Sequence, residues 1–330
     1  MNKVLLLFIS LLVGVGIFFG MTQQTSLEEI ITLFSAFSFQ DGVVIIILTG
    51  LTMITGAWKW KEILADKDID INLWDLFKFY LAGFSVMFLA PILVWAGEAF
   101  RAYMVRQKSE GSWSEIVASV VIDRVVEWTT NLIVILGGGA IFLLNIGLPP
   151  PKLRLIFGGA LLFFLGGIFV FYFKILRKES ITKAFGSIFN GNLDSEPLTV
   201  EKEMFSFFRK GNSMMWKTFL ISFLRAGLML ARTWFLIVFL GKSISLFSSL
   251  SVLGFTYLAV MIPIPTALGT HEAIQSFSFK SLDLRASAAT VFTMTTRGSE
   301  TIFAILGLGI FLRLGLKYLR KIFSSKNNKH

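Results

Sequence analysis

The chain has 330 residues, 55% of them hydrophobic and only 16% charged, with a net charge of +10 and a mean hydropathy of +0.72. A soluble globular domain carries about 25% charged residues, so this chain lacks the charge that a water-facing surface needs, and its 35 phenylalanines are what a hydrocarbon solvent selects. The absence of cysteine excludes disulfides, thiol nucleophiles and thiolate metal sites, and two histidines, His271 and His330, are too few for a multi-histidine metal centre.

A membrane helix needs roughly 20 apolar residues. The first candidate runs from Lys3 to Met21. It could begin a signal peptide, but no small-x-small cleavage site follows, so it reads as a retained first helix. Gly42–Trp58, Leu73–Gly97, Glu115–Leu144 and Leu155–Tyr172 come next. A polar, basic segment, Lys174–Lys217, has room for a helix or two lying on the membrane. Thr218–Leu240, Leu246–Pro263, a short piece Thr270–Phe279 and Ala286–Gly315 follow, and residues 317–330 form a basic tail. No block is long enough for a separate soluble domain, so the chain reads as one all-α transmembrane domain.

Lys and Arg in short loops mark the cytoplasmic side. The loop Thr22–Asp41 has Glu28, Glu29 and Asp41 but no cation, so it reads as outside. The loop after Trp58, with Lys59, Lys61 and Lys67, the long basic segment and the tail all read as inside. The net charge thus belongs to cytoplasmic loops rather than to a nucleic-acid surface. Simple counting reaches this answer only if two segments are re-entrant. Leu73–Gly97 must enter from the cytoplasm and turn back at Pro91–Gly97. Leu246–Phe279 must enter from outside and turn back at Pro263–Gly269. The expectation is six spanning helices and two broken-helix hairpins, with both termini cytoplasmic and a few external cations, Lys152, Arg154, Lys242, Lys280 and Arg285.

The two re-entrant segments are alike. Each has Pro and Gly six apart, then a Glu (Glu98, Glu272), then an Arg-x-x-Glu in the next spanning helix, Arg124–Glu127 and Arg297–Glu300. The order and spacing argue for duplication, with copies over about 42–172 and 218–315. The topology places them in opposite senses, as in the inverted repeats of transporters.

Ionisable groups inside a bilayer cost about 2.5–3.5 kcal/mol each on insertion scales. This chain places Asp123, Arg124, Glu127, Arg225, Arg232, Arg297 and Glu300 in otherwise apolar helices. Spacing puts Arg124 with Glu127, Arg297 with Glu300 and Arg225 with Arg232 on single faces. Internal ion pairs fixing helix register are one reading; a shared polar cavity accounts better for the whole set. Pro91, Gly97, Pro263, Pro265 and Gly269 are the expected helix breaks, tolerated at membrane depth only within protein or beside water. The half-helix that starts after each break presents amides that suit an anion such as phosphate. Glu98 and Glu272 are expected in those first turns, with His271 as a helix-start neighbour. No Gly-x-Ser-x-Gly, His-Glu-x-x-His or Walker A loop occurs.

Pro263-Ile-Pro265-Thr-Ala-Leu-Gly269-Thr-His-Glu272-Ala273, Gly97-Glu98-Ala-Phe-Arg101-Ala-Tyr and Asp123-Arg124-Val-Val-Glu127 resemble the lysylphosphatidylglycerol synthase transmembrane family. These flippase-like proteins share the N-terminal domain of the multiple peptide resistance factor. The likeness covers about 42–315. Thr266-Ala267 stands where the family often has Gly-Gly, and His271 is also unusual. The resemblance implies lipid translocation without the aminoacyl-transferase chemistry, since only a short tail follows Lys317.

The combined expectation is a bacterial or archaeal plasma-membrane protein that moves a phosphate-bearing amphiphile between leaflets. Arg101, Arg124, Arg225, Arg232 and Arg297 would bind the headgroup. Glu98, Asp123, Glu127, His271, Glu272 and Glu300 would supply counter-charge or gating. No cofactor or metal is expected. The partners would be membrane lipids, anionic or polyprenyl-phosphate, together with a candidate lipid-modifying enzyme. Two other readings stand beside it: a membrane-embedded transferase acting on a phospholipid or polyprenyl-phosphate, and an ion-coupled anion transporter.

Overall fold

The structure, a computed structural model, describes residues 27–35, 37–89, 95–177, 179–180, 195–209, 213–261 and 267–327. Its regular elements there are all helices: α1 Leu27–Ser35, α2 Phe39–Ala65, α3 Leu73–Leu89, α4 Ala96–Arg106, α5 Trp113–Asn145, α6 Pro151–Arg177, α7 Ser195–Arg209, α8 Ser213–Phe239, α9 Leu246–Met261, α10 Ala267–Ser281 and α11 Ala286–Asn327. Five stretches are long and apolar enough to cross a membrane: α2, α5, 153–177 of α6, α8 and 286–315 of α11. They coincide with five of the six spans expected; the sixth, Lys3–Met21, lies outside the described residues. The chain is an all-α, multi-pass membrane protein.

Local chemistry sets the helix starts. Ser38 opens α2 with a capping box: its hydroxyl accepts from the Asp41 N–H and the Asp41 carboxylate accepts from the Ser38 N–H. Ser112 and Glu115 repeat the device at α5. α6 turns Leu155, Phe163 and Leu176 outward, each more than three-quarters exposed. In water that surface would be an aggregation patch; in a bilayer it meets lipid.

Each segment expected to be re-entrant forms two helices that pack on one another, and the residues joining them, 90–94 and 262–266, lie outside the described residues. α3 packs on α4, and α9 on α10. Pro91, Pro263 and Pro265 lie outside the described residues. Gly97 and Gly269 fall inside α4 and α10, not in the breaks. At Gly97 the reason is packing. A Cβ there would collide with the Gly83 carbonyl oxygen and sit 2.7 Å from Met87 Cγ, so bare backbone lets α4 lie against α3. Glu98 is in the first turn of α4, as expected. Glu272 is in the second turn of α10, because that helix begins at Ala267.

The apolar clusters fix where each hairpin starts and ends. Ile69, Ile71 and Leu76 at the start of the first meet Met104 and Val105 at its end, together with Trp60 and Leu64 of α2 and Ile116 of α5. Lys108, just past α4, pairs with Asp75 in the first turn of α3. The second hairpin begins near Leu240 and Ile244 and ends near Phe279 and Leu284, and these meet Ile45 at the opposite end of α2. Ile45 and Leu64 are separated by about 28 Å along α2 at ~1.5 Å per residue, close to the ~30 Å of a hydrocarbon core. The two helix pairs therefore start and finish at opposite ends of α2.

Packing across the molecule is crosswise. α3 makes its most extensive contact with α11, α9 with α5, and α2 with α8. Small residues allow it. A Cβ on Gly307 of α11 would strike the Leu81 carbonyl of α3, and one on Gly138 of α5 would strike the Leu250 carbonyl of α9.

Candidate functional site

Where α2, α4, α5 and α8 meet, charged side chains pair with one another. Asp123 is fully buried and lies 3.0 Å from the Lys59 ammonium and 3.1 Å from the Arg101 guanidinium. Arg101 donates to Glu98 at 2.8 Å. Arg124 reaches Glu98 at 2.6 Å and Glu127 at 3.2 Å. Glu127 also takes Arg225 at 2.6 Å and Lys59 at 3.4 Å. Buried charges persist only when paired this way.

The members differ in access. Arg101 is closed off: its guanidinium lies 4.2 Å from the Trp60 ring centre and 4.6 Å from that of Tyr80. Its two terminal nitrogens meet Glu98 and Asp123, so it is an anchor for the cluster. Lys59, Glu98 and Asp123 are equally sealed, whereas Arg124, Glu127 and Arg225 keep side-chain exposures of 16%, 14% and 12%. These three form the open face. Trp95 and Trp128 meet edge to face, 6.5 Å between centroids, one turn from Glu98 and Arg124 respectively.

A polar track leads deeper along α2. Arg225 donates to the Thr52 carbonyl and Arg232 to the Thr49 hydroxyl, each at 3.2 Å. Thr49 reaches Ser299 on α11, and Arg232 pairs with Glu300 at 3.2 Å. From Lys59 to Thr49 the track rises about 15 Å, half the hydrocarbon thickness. Arg225 and Arg232 thus share the face expected, turned to α2.

Three expectations change. Lys59, read as a cytoplasmic loop cation, is inside α2 and 0% exposed. The helix runs past Trp58 because Trp60, Ile63 and Leu64 bury and Trp60 donates to Ser119. Glu300 partners Arg232 rather than Arg297. Arg297 stands partly exposed over Phe88, with no carboxylate within 4.0 Å among the described residues. The charges also meet as a packed cluster rather than lining a broad polar chamber. Two cavities flank the bundle instead. One of about 880 Å³ lies between α5, α6 and α7, walled by Trp113, Val121, Trp128 and Phe171. The other, about 190 Å³, is lined by Phe142, Phe157 and Phe255 with Arg154 at its edge. The side chains of His271 and Glu272 lie outside the described residues.

No solved structure matches the chain. A UPF0104 membrane protein of Pyrococcus horikoshii is 23% identical over 309 residues, which cover 88% of this chain and 91% of that protein. The sequence profile described as the lysylphosphatidylglycerol synthase TM region matches residues 7–307. That match takes in the hairpin-and-cluster architecture from end to end, and the chain belongs to the lysylphosphatidylglycerol synthase transmembrane-region family.

Proposed function

We propose that this protein translocates an amphiphile with a phosphate-bearing headgroup between the leaflets of the plasma membrane. The observation that carries the reading is the open face of the buried cluster, two guanidiniums either side of one carboxylate, on helices long and apolar enough to cross a membrane. Arg presents a planar fork that meets phosphate oxygens bidentately and keeps its charge in any surroundings. Arg232 continues the track from that face. The 880 Å³ groove runs up to Trp128, one helical turn from Arg124, and gives the acyl or isoprenoid tails a place beside the headgroup. Arg101 and Lys59 hold the cluster together.

The crosswise packing of each hairpin on the long helix of the other part supports an inverted repeat, with copies over about 42–172 and 218–315. We place the end bearing α7 and the basic segment in the cytoplasm, with both termini on that side. Membrane lipids are the partners of this reading, anionic phospholipids or polyprenyl phosphates.

Leaflet exchange in proteoliposomes tests it, with head-labelled lipids and an impermeant quencher. The expected result is exchange faster than in empty vesicles, abolished by Arg124→Ala and by Arg225→Ala. Uptake of a soluble phosphate ester with no lipid redistribution would overturn the lipid reading in favour of an anion transporter.

A further inference from the structure

Glu127 stands where a bound anion belongs. Cations from three helices converge on its carboxylate: Arg225 of α8 at 2.6 Å, Arg124 of α5 at 3.2 Å and Lys59 of α2 at 3.4 Å. Asp123 and Glu98 are sealed at 0% and 4% side-chain exposure, but Glu127 is on the open face. Asp123 on its own helix, Glu98 and Arg101 on α4, Tyr80 on α3 and Tyr257 on α9 are the other charged or titratable groups around it.

We propose that Glu127 is a tethered carboxylate filling the anion site, and that a phosphate monoanion binds by displacing it while Glu127 takes up one proton from the open side. This rests on the reading of the chain as a carrier of phosphate-bearing amphiphiles. Charge is the reason for the proton. Empty, the cluster holds four cations, Lys59, Arg101, Arg124 and Arg225, against three carboxylates, Glu98, Asp123 and Glu127. An anion in place of a carboxylate that leaves protonated keeps that balance unchanged. A carboxylate expelled in its charged form would lie unpaired at membrane depth, at a cost of several kcal/mol. The exchange swaps one anion for another between the same three cations. The proton enters with the phosphate and leaves when the phosphate leaves.

The test is equilibrium binding to the purified full chain in detergent. The probes are dihexanoyl-phosphatidylglycerol and its water-soluble headgroup, glycerophosphoglycerol. Both are phosphodiesters with one fixed charge over the range used, so only the protein titrates. For the wild type, Kd should rise tenfold per pH unit, about a hundredfold from about pH 5.5 to about pH 7.5. Addition of probe to weakly buffered protein should take up close to one proton per site. Glu127→Gln keeps the shape without the titrating carboxyl and should bind both probes with a flat pH profile and no proton uptake. Binding of the wild type that is flat with pH, or that takes up no proton, overturns the proposal even if Glu127→Gln fails to fold. Leaflet exchange that persists under that result leaves the carrier reading intact; pH-linked binding without leaflet exchange sinks the carrier reading alone. A lipid source for the anion is indicated where the short-chain lipid binds more tightly than the bare headgroup, and a free phosphate ester where the two are equal.

Discussion

Lys59→Met removes one ammonium and keeps the aliphatic stem. Lys59 is fully buried, with Asp123 at 3.0 Å, Glu127 at 3.4 Å and the Asp123 carbonyl at 3.2 Å. Removing one partner of a buried pair costs ~3–5 kcal/mol because the other is left uncompensated. Asp123 keeps Arg101 and Glu127 keeps Arg124 and Arg225, so the low end applies. We expect about 3 kcal/mol, roughly a hundredfold or more in the folding equilibrium. The control is Lys217→Met. Its ammonium meets Glu62 at 2.7 Å, but the lysine side chain is 48% exposed, so at most ~1 kcal/mol is at stake. The assay is denaturant unfolding in one detergent, run as two double-mutant cycles. Lys59→Met with Asp123→Asn should show coupling of roughly 2 kcal/mol. Lys217→Met with Glu62→Gln should show less than about 0.5 kcal/mol. Equal losses from Lys59→Met and Lys217→Met would refute the buried cluster and return Lys59 to a wet loop.

Gly97→Ala forces α3 and α4 apart at Gly83 and Met87. It should cost about 1–3 kcal/mol by overpacking, whereas Gly158→Ala on lipid-facing α6, with nothing within 4 Å of the new Cβ, should be neutral or stabilising by up to ~1 kcal/mol; unfolding in detergent compares them. The natural chain has no cysteine, so single cysteines at Lys108 and Lys280 should react with an impermeant maleimide from opposite faces of sealed vesicles. Labelling from one face would contradict helix pairs that start and finish at opposite ends of α2.

Five of the spans and the division of Leu73–Gly97 and Leu246–Phe279 from the long helices were legible because each depends on a local property, apolar length and the helix-breaking residues between runs. The intramembrane Arg and Glu residues stood out for the same reason, as isolated charges in apolar runs. Lys59 did not. It sits between Trp58 and Lys61, and nothing local separates a buried lysine from one at a helix end. The available signal was the stripe Trp60, Ile63 and Leu64, which continues the helix past it. The partners of the charges were also hidden. Arg297 and Glu300 share a helix face, but Arg232 on another helix takes Glu300 because α8 lies alongside. That choice is made by tertiary packing. Gly97 carried a local signal that was misread: a glycine after a proline looks like part of the turn, yet its bare backbone serves the close contact between α3 and α4.

The crosswise packing has a bearing on how the protein is made. α5 seats Gly138 against Leu250 and Gly254 of α9, yet about a hundred residues must be synthesised between the two helices, several seconds or more of ribosome time at ~5–20 residues per second. Through that interval Leu250 and Gly254 are not yet there to meet Gly138. The charges do not wait in the same way. Lys59, Arg101 and Arg124 already balance Glu98, Asp123 and Glu127 once α5 has emerged, and Arg225 arrives later with the surplus positive charge. The nascent chain is thus electrically neutral in this cluster well before it is sterically complete.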